Sequence, residues 1–362
     1  MHKLVPDNVE RLIPYSPGKP VEELERELGI RDAIKLASNE SPVGPSPKVV
    51  EAIGRAASEA HRYPDAGTYA LRRDLAAHHD LPMDDFCVGN GSNEIIDLIC
   101  RTFASPTDHA VFGDPSFVCY WLGCTAANVP FTKVPLRDRV AWDVDAMLEA
   151  VQPETKLLFL ANPNNPTGAH VGREALTRLL RELPEHVVAV IDEAYVHFAE
   201  AEDYESAVTM RGLHERLIVL RTFSKAYGLA ALRVGYAIAP PEIVGYLNRV
   251  RAPFNVNSIA QAAARVALTD QEHVQRYVAM NAAERAKLIP ALEELGLTVA
   301  PSQANFVLAD FGRPGREVYD DLLRLGVIAR PMPPPIDTWL RITIGLPREN
   351  ERLLAAIRET RS

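Results

Sequence analysis

Five short apolar runs, rich in β-branched residues, alternate with helix-like segments in the middle of the chain. This alternation limits the possible folds more than any other feature of the sequence. In chain order the runs are HAVFGD, TKLLFLAN, HVVAVIDEA, RLIVLRT and RVGYAIAP. Strands that alternate with helices form βαβ units, which pack as a mostly parallel sheet flanked by helices. The sequence therefore predicts an α/β fold built on one such sheet.

Polar residues stand at the ends of three of these runs. Residues 162–165 follow the second run, Asp192 comes at the end of the third, and Lys225 follows the fourth. In open α/β sheets, ligands bind beyond the carboxyl ends of the strands. These three strand ends are therefore expected to meet at one site.

A glycine-rich turn precedes the runs, in the stretch DFCVGNGSNEIIDLICRTFA. The stretch predicts a strand, a tight turn at Gly89 and Gly91, and an amphipathic helix that begins near Ser92 and Asn93. A helix start with free N–H groups attracts anions. Glycine turns that only cap a helix are more common, however, and GNGSNE does not match the fingerprints of P-loops or dinucleotide-binding turns.

The pattern changes from about residue 271. A long helix (EHVQRYVAMNAAERAKLIPALEELG) is followed by a strand (ANFVLADF), another helix, a proline-rich segment (RPMPPPIDTW) and LRITIG. This mixture is typical of a smaller α+β domain. We therefore predict a large domain over residues 41–270, a small domain over 271–362, and an N-terminal arm, residues 1–40, that packs on the small domain.

The charge balance narrows the possible partners. The 362 residues include 39 basic and 48 acidic side chains, a net charge of −9. This balance argues against sequence-independent binding of nucleic acid and against binding to anionic membranes. Every apolar run is too short to span a bilayer, and charge or proline interrupts those near the start, so neither export nor membrane insertion is expected.

The four cysteines indicate neither disulfides nor a metal. They form no C-x-x-C pair and have no metal-like spacing with histidine. A chain of this length also needs no covalent staples. We therefore expect reduced thiols in a cytoplasmic protein, and no metal site, for Cys87, Cys100, Cys119 and Cys124.

Three motifs, taken together, indicate a family. They are NPNNPTG (residues 162–168), DEAY (192–195) and SKAYGLAALRVG (224–235). In this order, and with strand-helix-strand spacing between them, they resemble the fold-type I pyridoxal-phosphate enzymes of the class I/II aminotransferase superfamily. The resemblance covers nearly the whole chain, and it implies pyridoxal 5′-phosphate as the cofactor.

The resemblance implies roles for four residues around the cofactor ring. Lys225 would form the Schiff base with the aldehyde and, once displaced by the substrate amine, move the proton between Cα and C4′. Asp192 would keep the pyridine nitrogen protonated, while Asn165 and Tyr195 would bind the oxygen of the 3-hydroxyl group. Without the motifs, Lys225 would be interpreted as a solvated surface lysine and Asp192 as a helix cap.

A bound phosphate needs several donors and a fixed positive charge. By resemblance, Arg233 supplies the charge in bidentate form. Ser224 and the helix-start residues Gly91, Ser92 and Asn93 would supply further donors.

Of two further residues near the motifs, one is assigned to the cofactor site and the other to a structural role. Phe117, in DPSFVCYW, lies where the family stacks an aromatic ring on the pyridine, and many relatives have tyrosine there. His197, five residues beyond Asp192, is interpreted as structural, because Lys225 already serves as the base.

Five segments narrow the resemblance to the histidinol-phosphate aminotransferases. They are IPYSPGKP, KLASNESPVGPSP, RYPDAGTYALRRDLA, APFNVNSIAQAAA and WLRITIG. By this resemblance, Tyr63 reaches the cofactor phosphate of a partner subunit, which implies a homodimer with a shared active site. Tyr15 would line the substrate pocket with Asn39 nearby. Arg341 would bind the anionic group of the substrate, because one guanidinium fork accepts either a carboxylate or a phosphate ester.

The implied reaction moves an amino group between L-histidinol phosphate and 2-oxoglutarate, as in histidine biosynthesis. An aromatic-amino-acid aminotransferase is the first alternative, since Phe117, Tyr120 and Trp121 are expected to form an aromatic cluster. A threonine-phosphate decarboxylase, which would release CO₂, is the second. A non-catalytic regulator that binds pyridoxal phosphate and controls transcription is a remote alternative, because no basic recognition helix is visible.

Overall fold

The computed structural model describes residues 3–14 and 18–361. The strands in these ranges are β1 (Ile34–Lys35), β2 (Phe86–Gly89), β3 (His109–Asp114), β4 (Phe131–Pro135), β5 (Thr155–Ala161), β6 (Val188–Asp192), β7 (Leu217–Thr222), β8 (Gly235–Ile238), β9 (Thr298–Ala300), β10 (Phe306–Asp310), β11 (Val327–Ile328), β12 (Arg330–Pro331) and β13 (Trp339–Thr343).

The same ranges contain the α-helices α1 (Asp7–Glu10), α2 (Val21–Leu28), α3 (Pro47–Ala57), α4 (Tyr69–His79), α5 (Gly91–Phe103), α6 (Cys119–Ala126), α7 (Val144–Glu149), α8 (Arg173–Glu182), α9 (Pro241–Val250), α10 (Ser258–Thr269), α11 (Gln271–Glu294), α12 (Gly315–Arg324) and α13 (Pro347–Glu359). Short 3-10 helices lie at Met83–Asp85, Val196–Phe198, Ala207–Leu213 and Ala230–Leu232. Of the helices described, none combines the length and the apolar composition needed to cross a bilayer.

Seven strands form the larger sheet, in the order β2-β8-β7-β6-β5-β3-β4. The neighbours from β7 to β4 pair in parallel, while β8 runs antiparallel to both β7 and β2. Every residue of β6 and of β7 is buried, as expected for strands covered on both faces. The predicted mostly parallel sheet is therefore confirmed. We call the part of the chain built on this sheet the large unit.

The direction of these strands determines where the polar turns lie. Because β2 and β7 both run antiparallel to β8, β2 points the same way as the parallel strands, and its carboxyl end lies at the same edge of the sheet. Strand β8 begins at this edge, where Gly235 pairs with Gly89 on one side and with Thr222 on the other. The turns that follow β2, β5, β6 and β7 therefore lie along one edge.

A second, smaller sheet has the strand order β12-β13-β10-β9, and its neighbours are antiparallel. It has its own hydrophobic core, which includes Val307, Leu322, Leu340, Ile342 and Leu353. We call this part the small unit.

The N-terminal segment is divided between the two units. Strand β1 pairs in parallel with β11, and Leu24 of α2 packs with Tyr319 and Ile328 of the small unit. The first helix, α1, instead lies on α6, where Nδ2 of Asn8 donates to the carbonyl oxygen of Ala126 at 3.0 Å. The structure thus differs from the prediction that residues 1–40 pack as a whole on the small domain, because α1 contacts the large unit.

Helix α11 belongs to both hydrophobic cores. Val274 and Tyr277 in its first half are buried in the core of the large unit, whereas Leu288 and Leu292 in its second half are buried in the core of the small unit. The predicted domain boundary at residue 270 stays a prediction. It coincides with the start of a helix that the two cores share.

Candidate active site

A pocket of about 310 Å³ lies at the carboxyl edge of the larger sheet. Its walls also include residues before α3 and on β13, so both units contribute. The structure brings together in this lining most of the site residues predicted from the sequence, namely Asn39, Ser92, Asn93, Phe117, Asn165, Asp192, Tyr195, Ser224, Lys225, Arg233 and Arg341.

Lys225 lies in a tight turn directly after β7. The turn is closed by the N–H of Gly228, which donates to the carbonyl oxygen of Lys225 at 3.0 Å. The Nζ of Lys225 donates to the carbonyl oxygen of Ser38 at 3.2 Å, and it lies 5.7 Å from the ring centroid of Tyr195. The amine is therefore held inside the pocket.

The surroundings of this amine favour its neutral form. The pKa of Lys225 is lowered to about 7, mainly by burial and also by the positive charges of Arg341 and Arg233, against the opposing effect of Glu40 and Asp192. Both desolvation and nearby like charges disfavour the protonated form of a lysine. Near neutral pH the amine can therefore act as a nucleophile and can exchange protons.

Asp192 is the last residue of β6, and only 4% of its surface is exposed. Its Oδ2 accepts a hydrogen bond from Oη of Tyr120 at 3.0 Å, and its Oδ1 accepts one from the N–H of Ala194 at 3.1 Å. Burial raises the pKa of Asp192 to about 6, while these two hydrogen bonds act in the opposite direction. A carboxylate that can still ionise therefore lies in the wall of the pocket.

The start of α5 and Arg233 form a cradle suited to an anion. Gly91 has a φ of 75°, and a Cβ atom there would lie only 2.5 Å from Nη2 of Arg233. Nη1 of the same arginine donates to Oγ of Ser224 at 3.2 Å. The first N–H groups of a helix lack partners within the helix, and Ser92 and Asn93 of that first turn line the pocket. Gly91 does not line the pocket, but its missing side chain leaves room for the guanidinium.

Hydrogen bonds of Asn39 and Asn165 connect the chain segments that form the far wall of the pocket. Nδ2 of Asn39 donates to Oη of Tyr195 at 3.0 Å, and the N–H of Asn39 donates to Oγ1 of Thr343 at 2.9 Å. Nη1 of Arg341 donates to Oδ1 of Asn165 at 2.6 Å. The loop before α3, the turns after β5 and β6, and strand β13 thus meet at one place.

Two described residues from the sequence analysis, Tyr63 and His197, do not line this pocket. Tyr63 is 83% exposed, and its ring stacks on Phe254 with the centroids 4.7 Å apart. Tyr15 lies outside the described residues. His197 lies edge-on to Tyr227, and burial lowers its pKa to about 3, so it stays neutral at physiological pH.

Of the expected aromatic cluster of Phe117, Tyr120 and Trp121, the first two meet edge-on with ring centroids 5.7 Å apart, but only Phe117 lines the pocket. Tyr120 is fully buried behind the pocket wall, and Trp121 lines a separate cavity beside Phe131. Phe117 precedes α6, whereas Tyr120 and Trp121 lie on that helix, where successive side chains point in different directions.

Sequence reasoning missed an ion pair beneath the site. Nη2 of Arg221 lies 2.6 Å from Oε2 of Glu193, and the carboxylate is completely buried. Oγ of Ser206 also donates to Oε2 of Glu193 at 2.9 Å. An arginine inside the apolar run RLIVLRT was the available signal, because a buried charge requires a partner.

Sequence reasoning also missed a second arginine near Arg341. Arg330 of β12 lies directly opposite Arg341 in the antiparallel register, so the two side chains share one face of the small sheet.

No group of three or more His, Cys, Asp or Glu side chains able to hold a metal ion occurs within residues 3–14 and 18–361.

The sequence and the fold both match known proteins. Residues 31–357 match the family model described as aminotransferase class I and II. The chain is 46% identical over 356 residues to the histidinol-phosphate aminotransferase of Anaeromyxobacter sp. (strain Fw109-5), with 98% of each chain covered. It is 45% identical over 348 residues to that of Moorella thermoacetica, with 96% of this chain and 90% of the relative covered. The crystal structure of histidinol-phosphate aminotransferase from Sinorhizobium meliloti in complex with pyridoxal-5′-phosphate has a TM-score of 0.90 and 29% identity, with 99% of each chain covered.

Proposed function

This chain belongs to the class I and II aminotransferases, and on that premise we propose that it transfers an amino group between L-histidinol phosphate and 2-oxoglutarate. The products would be imidazole-acetol phosphate and L-glutamate. The observation that carries the proposal is the half-buried amine of Lys225, which shares one pocket with Asp192, Arg233 and Arg341. The high identity to relatives named for this substrate supports the choice of donor.

The residues of the pocket fit pyridoxal phosphate as the cofactor. Arg233, Ser224 and the start of α5 would hold the phosphate, since they combine a fixed cation with several donors. Asp192 would bind the pyridine nitrogen, and Phe117 would cover the ring. When bound, the cofactor supplies an aldehyde carbon that takes up and returns the amino group, and a ring that withdraws electrons from the reacting carbon.

Asn165 and Tyr195 are the proposed ligands of the ring's 3-oxygen. Both side chains line the pocket, Asn165 in the turn after β5 and Tyr195 in the turn after β6. The phenol of Tyr195 already accepts a hydrogen bond from Asn39.

The amine of Lys225 would hold and return the proton that moves during the reaction. With a pKa of about 7, it is neutral in a large fraction of molecules at physiological pH and can serve as both base and acid. Arg341 is the nearby charge that contributes most to this lowering. The same arginine would therefore bind the substrate and keep the base active.

The proposed substrate anion would lie between β13 and the NPNNPTG turn. Arg341 is held there by Asn165 and by the carbonyl oxygen of Ala37, at 2.6 Å in both cases. Its guanidinium would accept the α-carboxylate of glutamate in one half-reaction and the phosphate ester of histidinol phosphate in the other. Arg330, opposite Arg341, adds positive charge on the same face.

We further propose that the enzyme is a cytoplasmic homodimer. The paired rings of Tyr63 and Phe254 form an exposed aromatic surface, and large exposed rings often mark protein contacts. In the dimer, Tyr63 would reach the cofactor phosphate of the partner subunit. The described cysteines are all free thiols, which supports a reducing compartment.

The arrangement of aromatic residues weakens the leading alternative. An aromatic-amino-acid aminotransferase was suggested by three aromatic residues, of which only Phe117 lines the pocket. A threonine-phosphate decarboxylase would share the cofactor site but would release CO₂ and would need no oxo acid.

A single half-reaction tests the proposed substrate. The protein loaded with pyridoxal phosphate is mixed with L-histidinol phosphate or with L-phenylalanine, at matched concentrations and without oxo acid, while the visible absorbance of the cofactor is followed. We expect much faster conversion with histidinol phosphate. Faster conversion with phenylalanine would overturn the substrate assignment. As the control, Lys225→Ala should bind the cofactor without turnover, and retained turnover would overturn the role of Lys225.

A further inference from the structure

The Tyr120 hydroxyl is a buried polar group to which the proposed reaction assigns no task. Tyr120 is the second residue of α6, and none of its surface is exposed. Its ring stacks on Phe159, with the centroids 5.0 Å apart and an interplanar angle of 16°. The ring also meets Phe117 edge-on, with the centroids 5.7 Å apart. These contacts fix the phenol in the core, and its Oη points at Oδ2 of Asp192.

The two oxygens of Asp192 are held by donors from different parts of the chain. Oδ1 accepts from the N–H of Ala194 at 3.1 Å, within the turn after β6, and Oδ2 accepts from Tyr120 of α6 at 3.0 Å. Two donors on opposite oxygens fix the plane of the carboxylate. An ionised carboxylate has about four acceptor positions, so it can also accept a bond from a group in the pocket that it lines.

The Tyr120 hydrogen bond also favours the charged form of Asp192. Burial raises the pKa of this carboxyl group, and the charge of Glu193 acts in the same direction. The Tyr120 and Ala194 hydrogen bonds and the charge of Lys225 oppose the increase.

The groups that Asp192 meets on α6 are themselves neutral. Burial, followed by the charge of Asp192, raises the pKa of the Tyr120 phenol well above its usual value, so the phenol keeps its proton and remains a donor. Burial raises the pKa of the neighbouring Cys119 thiol to about 12. Tyr120 is thus the side chain on α6 that donates a hydrogen bond to the carboxylate.

We propose that Tyr120 is a positioning residue for Asp192, holding Oδ2 so that the ionised carboxylate faces the pyridine nitrogen of the cofactor. This inference rests on the proposed function only in taking pyridoxal phosphate as the cofactor. Tyr120 itself does not line the pocket and would act entirely through Asp192.

A double-mutant cycle on cofactor affinity tests the proposal. The dissociation constant of pyridoxal phosphate is measured by fluorescence titration of the apo forms of the wild type, Tyr120→Phe, Asp192→Asn and the double variant. We expect Tyr120→Phe to weaken binding about tenfold in the wild-type background and to have almost no effect in the Asp192→Asn background. This non-additivity is the signature of two residues that act as one unit.

The pH dependence of affinity supplies a second readout, which a purely structural role would not change. Without the phenol donor, Asp192 is harder to ionise, so the acidic pH at which affinity falls should shift upward in Tyr120→Phe. Tyr236→Phe is the matched control. Tyr236 is equally buried, its hydroxyl lies 2.9 Å from Nε2 of His79, and its removal should change neither affinity nor pH profile.

The possible outcomes separate this inference from the proposed function. Additive effects in the cycle, or a Tyr120→Phe protein with the affinity and pH profile of the wild type, would overturn the role of Tyr120 alone. Failure of the wild type to bind pyridoxal phosphate would overturn both. Strong coupling in the cycle, together with a wild type that is inert towards histidinol phosphate, would support Tyr120 and overturn the proposed substrate. Circular dichroism of the apo variants verifies that each one is folded.

Discussion

Nη1 of Arg341 lies 2.6 Å from Oδ1 of Asn165, so a cation from the small sheet is held against the turn that follows β5 in the large sheet. Nη2 of the same arginine donates to the carbonyl oxygen of Ala37. These contacts hold the guanidinium in place before a substrate enters. A charge that is already oriented costs less to use in binding than one that must first be ordered.

Arg341→Gln should lower kcat/KM for L-histidinol phosphate by about 10- to 100-fold, because a hydrogen bond to a charged group contributes about 1.5–3 kcal/mol. Steady-state kinetics with 2-oxoglutarate as acceptor measures the change. Arg316→Gln, on the exposed face of α12, is the control and should retain wild-type values. An Arg341→Gln enzyme with unchanged kcat/KM would exclude the proposed anion site.

Uptake of pyridoxal phosphate by the apo protein should accelerate with pH through a midpoint near 7, the pKa of Lys225. Only the neutral amine can add to an aldehyde. In Arg341→Gln the midpoint should move upward, because the positive charge that does most to lower this pKa is removed. Stopped-flow absorbance across the pH range measures both midpoints. A wild-type midpoint close to the usual lysine pKa of about 10.5 would contradict the environment described for Lys225.

The apo form of Lys225→Met should be more stable than the apo wild type at neutral pH. The folded-state pKa of Lys225 is about 7, below its ordinary value of 10.5. The unfolded chain therefore binds the proton of this lysine more tightly, which lowers the free energy of unfolding of the wild type. This cost is complete below pH 7 and disappears as the pH rises towards 10.5. Urea unfolding at pH 6.5 and pH 9 should therefore show a gain that shrinks at the higher pH. An equal gain at both values would point to packing instead of charge.

Glu193→Ala should destabilise the apo protein by about 3–5 kcal/mol, because it leaves the Arg221 guanidinium buried without its charge partner. The change in the free energy of unfolding is measured with urea. Glu272→Ala removes an exposed pair with Arg276 on α11 and should cost less than about 1 kcal/mol. Similar losses of unfolding free energy in the two variants would show that the buried ion pair contributes no more to stability than the exposed one.

Gly91→Ala should weaken the binding of pyridoxal phosphate about tenfold, since the new Cβ would displace the Arg233 guanidinium from the anion cradle. The positive φ of Gly91 adds strain for any other residue. Gly245→Ala, inside α9 with open space around it, is the matched control. It should retain cofactor affinity and gain up to about 1 kcal/mol of stability. Equal affinities in both variants would exclude this cradle as the phosphate site.

The sequence predicted those features that depend on local pattern. The run HAVFGD coincides with β3, and the polar ends of the next three runs lie at one edge of the sheet because parallel strands share their direction. The order of the motifs along the chain was therefore enough to predict that most of their functional residues share one pocket.

Contacts between distant segments could not be predicted in this way. Nothing local shows that Tyr120 faces Asp192, because its direction depends on how α6 packs on the sheet. The pairing of Glu193 with Arg221 likewise needs the register between β6 and β7. The path of α1 onto α6 depends on long-range contacts such as those of Asn8 with the carbonyl oxygens of Thr125 and Ala126, which no periodic pattern encodes.

Helix α11 has a consequence for any attempt to divide this protein. Val274 and Tyr277 are needed by one hydrophobic core, and Leu288 and Leu292, about three to five turns further along the same helix, are needed by the other. Cleavage after residue 270 would strip the large fragment of part of its interior and give the small fragment an apolar surface with nothing to cover it. Neither fragment is therefore expected to remain in solution when it is produced without the other.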